Sequence, residues 1–171
     1  CLQLGSQMLR LAGVAADAAG ARRMLLQALR SGRALEKLIE MVEAQGGDST
    51  YIRQPVKLPR ARRVVPVVAS EGGFVQSIEA LEVGVAAMML GAGRETKGAP
   101  IDLGVGVVLR KKVGEAVAPG DVLAELHVNS EARLAEAQAR LQGAYRIGPE
   151  KPAERPLVYG MVTAAGTERW V

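Results

Sequence analysis

Cysteine, histidine, phenylalanine and tryptophan each occur once in these 171 residues, and aromatics amount to 3% of the chain. Each scarcity removes a class of chemistry. The lone Cys1 cannot close an intrachain disulfide, which makes a reducing, cytoplasmic setting the expectation. The lone His127 has no second histidine or cysteine at ligand spacing, so no metal site is expected. Apolar runs stay far below the roughly 20 residues of a membrane-spanning helix. The longest stretch, near "VGVAAMMLGAG", is short and interrupted by glycine. The opening residues lack the basic-then-apolar order of a secretory signal. Neither charge sign dominates: the net charge is +4, and with so few aromatics to stack on bases neither a nucleic-acid nor a membrane partner is expected.

Hydrophobic residues make up 49% and charged residues 23% of the chain, the balance of an ordinary globular protein. The first stretch, "CLQLGSQMLRLAG", places Leu2, Leu4, Met8, Leu9 and Leu11 as in the back half of a buried helix already under way. The expectation is therefore that more chain precedes Cys1. A second helix is expected over 15–30, with Met24, Leu25, Ala28 and Leu29 on one face and Gly20 inside it. A third, capped by Ser31, carries Leu35, Leu38, Ile39 and Val42 at helical spacing and ends at Gly46–Gly47.

The pattern then changes. "DSTYIRQPVKLPRA" (48–61) has two prolines and no helical period, which predicts a connector. "RRVVPVVAS" predicts a strand pushed to an edge or a bulge by Pro66. Gly72–Gly73 predicts a turn from which "FVQSI" returns as a hairpin. Ser77 is expected to cap a helix to about Leu90, buried through Ile78, Leu81, Val85, Met88 and Met89. A glycine-rich loop, "GAGRETKGAP" (91–100), follows. Then come a strand "LGVGVVLRK", a short strand with a Pro119–Gly120 turn, and an alternating strand "DVLAELHV". Asn129 is expected to cap an amphipathic helix over "SEARLAEAQARLQ". Strands follow in "GAYRIG" and "PLVYGMV", and the tail 163–171 has no clear state. Strands clustered in the middle between helices predict an α+β class.

Candidate chemistry is sparse. Glu125 and His127 alternate on one strand face and could form an acid–base pair, although a strand surface or a satisfied imidazole is the commoner use. Cys1 has no histidine partner in its neighbourhood of the sequence and makes a poor nucleophile candidate. The basic run Arg53, Lys57, Arg60, Arg62 and Arg63 fits a solvated linker better than a nucleic-acid patch. "GVGVVL" lacks the third glycine and the helix of a dinucleotide fingerprint. The loop 91–98 is the exception: its glycines Gly91 and Gly93 expose backbone N–H groups beside Arg94 and Lys97, an arrangement able to receive an anion.

"VGEAVAPGDVLAELHVN" (113–129) resembles the hairpin of a biotin or lipoate carrier domain. Yet Asn129 and Ser130 stand where the carrier would present its lysine, and Lys111 and Lys112 precede the hairpin. An amide-linked arm needs an amine, so no swinging arm is expected there. An autonomous, arm-less carrier-like module that binds a small molecule remains one reading.

A second resemblance is more specific. "SGRALEKLIEMVEAQGGD" (31–48), "EGGFVQSIEALEVGVAAMMLGAGR" (71–94) and the continuation "GAGRETKGAPIDLGVGVVLRKKVGEAVAPGDVLAELH" (91–127) together closely resemble the thymidine and pyrimidine-nucleoside phosphorylases. The likeness runs in register to about residue 162 and corresponds to the C-terminal third or so of such an enzyme. It implies closing helices of a larger α/β domain at 1–50, an α/β-hammerhead domain of barrel-sandwich type at 56–162, and a tail at 163–171. It also implies an enzyme of nucleoside salvage, homodimeric through N-terminal helices, that cleaves pyrimidine nucleosides with inorganic phosphate. The family's phosphate loop, of Lys-His-Ser-Thr-Gly-Gly type, and its base-gripping residues are absent from this sequence, so phosphate is expected to bind upstream. No catalytic residue, cofactor site or metal site is then expected here, and the segment alone is expected to be inactive beside the rest of its parent enzyme. The one functional expectation is that Gly91, Gly93, Arg94 and Lys97 belong to a loop that closes over the cleft.

Overall fold

A computed structural model describes residues 1–170; Val171, the end of the expected tail, lies outside the described residues. The chain divides into two compact units, Cys1–Leu58 and a second beginning at Pro59.

The first unit is helical: α1 (Leu2–Leu11), α2 (Ala18–Arg30) and α3 (Arg33–Ala44), then the short α4 (Thr50–Arg53) and a 3-10 turn at Pro55–Lys57. Helix α2 starts three residues later than its apolar pattern suggests. Asp17 is the reason: its carboxylate accepts the Gly20 N–H at 2.6 Å and fixes the first turn. Ser31 does not cap α3, as expected from its side chain; Gly32 does, at φ 82, a left-handed conformation that glycine adopts without strain. The stretch 48–61 is not a bare connector, because Asp48 accepts the Thr50 N–H at 2.8 Å and starts the short α4.

The three long helices bury very little. Only Ser6, Ala21 and Ile39 of them are buried. Leu4, Met8, Leu11, Leu29, Leu35 and Met41 are exposed, Leu11 at 89%.

The second unit has the expected α+β class. Strands β1 (Arg63–Val68), β3 (Gly106–Leu109) and β5 (Val122–Val128) form one antiparallel sheet in the order β1-β5-β3. Strands β2 (Gly73–Ile78), β4 (Ala116–Val117) and β6 (Tyr145–Gly148) form another in the order β4-β2-β6. Helix α5 (Ala80–Ala87) runs into a single π turn at Met88–Ala92, and α6 (Leu134–Ala144) leads straight into β6. Pro66 does sit on an edge strand, β1, opposite Glu125, where its missing N–H breaks no ladder.

Several sequence expectations fail in this unit for local reasons. β1 and β2 do not pair as a hairpin, because the chain after β1 bonds elsewhere. Ala69 donates to the Asp121 carbonyl at 2.8 Å and accepts from Gly120 at 2.8 Å, which binds it to the Pro119–Gly120 turn. Ser77 is not a cap but a strand residue paired with Arg146; the helix begins after Glu79, whose N–H donates to the Ala144 carbonyl at 2.9 Å. Leu81 is 75% exposed, while Ala86, Met89 and Leu90 face the core. Asn129 does not cap α6, which starts after Arg133. The tail has a defined state as well: β7 (Gly160–Thr163) and β8 (Gly166–Arg169) form a hairpin.

The core of this unit contains Val67, Val75, Leu123, Leu126 and Leu141, all fully buried. Tyr145 adds the polar tie. Its hydroxyl donates to the Leu123 carbonyl at 2.9 Å and lies 3.2 Å from that of Lys111. A residue of β6 is thus bound to a strand of the other sheet.

Two outcomes follow for the full chain. In urea denaturation, Leu141→Ala lowers stability by about 2–5 kcal/mol through lost burial and a residual cavity, whereas Leu81→Ala stays within about 0.5 kcal/mol. Burial pushes the Tyr145 phenol up to about 12. A raised pKa contributes stability that is complete below the unfolded value and is lost as pH rises through the folded one. Unfolding followed between about pH 9 and 12 therefore shows a loss of stability that Tyr145→Phe abolishes.

Candidate functional site

The glycine-rich loop leaves the buried end of α5 through the π turn, where Met89 and Leu90 enter the core. Gly91 turns the chain out at φ 104, a left-handed value closed to most side chains. Gly93 lies so close to Met88 that a Cβ would meet the Met88 Cγ at 3.1 Å. Gly91 is therefore demanded by its backbone conformation, and a side chain at Gly93 would crowd Met88. The loop closes on itself at its neck, where the Asp102 N–H donates to the Gly91 carbonyl at 2.9 Å. Residues 91–102 are thus a compact Ω-type loop with joined ends.

Within it, Arg94 donates from Nε to the Ala99 carbonyl at 3.1 Å. Glu95 pairs with Arg133 at the start of α6, and Arg133 also holds Glu136 at 3.2 Å. Lys97 is exposed, and so is Arg94. Glu95 is thus spent on the protein body, while Arg94 and Lys97 stay exposed.

The other candidates come out differently. His127 Nε2 lies 3.9 Å from Glu125, beyond a hydrogen bond, and is buried with no partner. Glu125 instead accepts from Arg110 at 2.6 Å, and that bond holds its carboxyl below the usual range. A carboxylate committed to a guanidinium is a weak base, so the pair is not an acid–base couple. Cys1 is exposed at the head of α1. The basic run is divided: Arg53 and Lys57 belong to the helical unit and Arg60, Arg62 and Arg63 to the other, with Arg63 paired to Glu131. Among the described residues no three His, Cys, Asp or Glu side chains gather into a metal cluster, and no helix is long and apolar enough to cross a membrane.

The lysines beside the carrier-like turn differ: Lys112 is exposed and Lys111 is held. Lys111 bends back to Asp121 at 3.2 Å and to the Ala116 carbonyl at 2.9 Å. Asn129, at the position of a carrier's lysine, donates to Asp102 at 2.7 Å and accepts the Arg62 N–H at 2.8 Å. Sequence reasoning missed this contact. Asn129 stood before an amphipathic stretch and read as its cap, which concealed the contact.

Residues 74–148 match the family described as pyrimidine nucleoside phosphorylase C-terminal domain. The chain carries a C-terminal domain of the pyrimidine nucleoside phosphorylase family. The likeness extends beyond those residues. The pyrimidine-nucleoside phosphorylase of Bacillus subtilis is 44% identical over 162 residues, which cover 95% of this chain and 37% of that protein. That of Geobacillus stearothermophilus is 42% identical over 163 residues, with the same coverage. That of Staphylococcus epidermidis is 48% identical over 130 residues, 76% of this chain and 30% of the relative. The chain thus spans little more than a third of the first relatives' length. Within this phosphorylase domain, the matched residues contain β2 except Gly73, all of β3 to β6 and the whole 91–102 loop.

The Arg110–Glu125 bond gives a direct test. With Arg110→Ala, the Glu125 carboxyl titrates closer to its ordinary 4.5, as followed by carboxyl NMR. A lowered pKa contributes stability present above the unfolded value and lost as pH falls through the folded one. The variant therefore loses less stability than the wild type as pH falls from about 4.5, where the unfolded carboxyl takes up its proton, through the lower pKa of the native Glu125.

Proposed function

We propose that this chain is the C-terminal part of a pyrimidine-nucleoside phosphorylase and supports catalysis by residues outside it. The observation that carries this reading is the unequal burial of the two units. The phosphorylase domain has its own core, whereas the helical unit buries only Ser6, Ala21 and Ile39 of its three long helices. A groove of about 620 Å³ between α1, α2 and α3, lined by Leu9, Met24, Leu25 and Ala28, stays open. Amphipathic helices gain most of their stability by burying such faces. The closing helices of a larger α/β body would do so, and the 95% coverage by the Bacillus subtilis phosphorylase fits that body.

In the reaction of such an enzyme, an oxygen of inorganic phosphate bonds to C1′ of the sugar as the C1′–N bond to the base breaks. The base leaves with the electron pair and takes up a proton, and the sugar leaves as its 1-phosphate. No cofactor is needed for this exchange, and phosphate enters as a substrate bound outside these residues. The domain from Pro59 would have the hammerhead shape of arm-less carrier modules, with the carrier-like hairpin as scaffold. The parent enzyme would serve nucleoside salvage in the cytoplasm as a homodimer formed through helices outside this chain. Gly91, Gly93, Arg94 and Lys97 would lie on the loop that covers the closing cleft and meets carboxylates or phosphate there.

The test compares residues 1–171 with a complete phosphorylase that ends in this sequence. Phosphate-dependent release of base from uridine or thymidine is expected from the complete enzyme alone. Turnover by residues 1–171 unaided, or none by the complete enzyme, would overturn the reading. In the complete enzyme, Arg94→Ala lowers kcat/KM by up to about fivefold, the range of an exposed ion pair, while unchanged kcat and KM would remove the loop from the cleft.

A further inference from the structure

The neck of the 91–102 loop is fastened by a short chain of hydrogen bonds with a definite polarity. The Arg62 N–H, just before β1, donates to Asn129 Oδ1 at 2.8 Å. Asn129 Nδ2 donates to Asp102 Oδ2 at 2.7 Å. The other carboxylate oxygen, Asp102 Oδ1, accepts the Gly104 N–H at 2.9 Å. Asp102 also supplies the N–H that closes the loop onto Gly91. Three separated segments, at 60–62, 91–105 and 128–130, therefore meet at two side chains. Their backbones are close as well: a Cβ on Gly104 would stand 3.1 Å from the Arg60 carbonyl carbon.

We propose that Asp102 and Asn129 form a polarity-matched clasp that sets the position of the 91–102 loop, and with it Arg94 and Lys97. Both outer groups, the Arg62 and Gly104 N–H, are donors and require acceptors. The side chains between them must then supply three acceptor oxygens and one donor. One carboxylate and one amide meet this requirement in either order. Two amides leave a donor facing a donor whichever way either is turned. Two carboxylates leave oxygen facing oxygen. The clasp is thus specific for an acid–amide pair but indifferent to which position holds the acid. A role in packing alone would not have this symmetry, since Asp and Asn have nearly the same shape.

The loop's second anchor is of another kind. Glu95 pairs with Arg133, whose side chain is 39% exposed; salt screens such a pair and leaves direction to the neck. The clasp consequently decides where the cations of the loop point when its tip is released. That consequence for catalysis rests on the proposed phosphorylase reading; the clasp itself does not.

The experiment uses a complete phosphorylase ending in this sequence and three variants: Asp102→Asn, Asn129→Asp, and the exchange Asp102→Asn/Asn129→Asp. Amide hydrogen exchange is read at the bonded neck amides of Asp102 and Gly104, with β5 and α6 as internal references. Each single variant is expected to speed exchange at the neck by roughly three- to tenfold, the equivalent of one ordinary hydrogen bond, while β5 and α6 keep their protection. The exchanged pair is expected to return the neck to within about twofold of the parent, because all three bonds can form again. Unchanged exchange in the single variants, an exchanged pair no better than either, or loss of protection spread through β5 and α6 would each overturn the clasp. Phosphorolysis of uridine is measured alongside. A kcat/KM that falls in the single variants and recovers in the exchanged pair supports the positioning role; constant kcat/KM with altered neck exchange overturns it. Lack of activity in the unsubstituted enzyme would count against the function reading alone, and the exchange data would still decide the clasp.

Discussion

Strand β5 is the element on which the second unit depends. It pairs with β1 on one side and β3 on the other, and Leu123, Ala124, Leu126 and Val128 on its two faces are buried. Such a strand cannot slip by one residue without moving its core side chains to the wrong face. Tyr145 adds a bond from β6 to the Leu123 carbonyl at 2.9 Å, so the position of the second sheet is referred to the same strand. Everything attached to its ends inherits that rigidity. Asn129, which holds the loop neck, follows β5 directly, and the Pro119–Gly120 turn that holds Ala69 precedes it.

The helical unit is built on the opposite terms. Local signals define it well: the Asp17 cap, the left-handed Gly32 and the helical spacing of its leucines. What it lacks is a counterpart for its apolar faces. Secondary structure and burial are therefore uncoupled here, and helices of 10 to 13 residues gain little stability in isolation. The second unit fastens its own loop, whereas the first leaves most of its apolar side chains exposed.

Much of this was legible in the sequence where a residue type had one dominant physical role. Pro66 foretold an edge strand, the alternation in "DVLAELHV" foretold β5, and the Pro119–Gly120 dipeptide foretold its turn. Readings failed where a residue with several possible roles was assigned by its neighbours. Ser77 and Asn129 are both good caps, yet Ser77 pairs in β2 and Asn129 reaches across to Asp102, 27 positions away. Gly72–Gly73 is a good hairpin turn, yet the partners of β1 and β2 lie some 40 to 75 positions further along. Polar side chains and glycines are cheap to place in several conformations, so long-range pairing decides among them, and a local pattern holds no record of it. The loop was visible for the same reason in reverse. Its glycines and cations had no core to belong to, which marked Gly91, Gly93, Arg94 and Lys97, but the clasp that aims them was hidden in Asp102 and Asn129.

The likeness to a carrier hairpin now has a physical sense. A carrier presents its lysine at a tight turn because two rigid strands hold that turn still while the side chain swings. In this chain two polar side chains at the hairpin are restrained. Lys111 is folded back onto Asp121 and Ala116, and Asn129 is a short amide bonded on two sides. A long flexible cation loses much rotamer freedom when fixed, whereas an amide one methylene from the backbone loses little. An asparagine therefore suits a fixed junction and a lysine suits an arm. The junction at Asn129 thus holds the neck of the 91–102 loop, from which Arg94 and Lys97 are exposed.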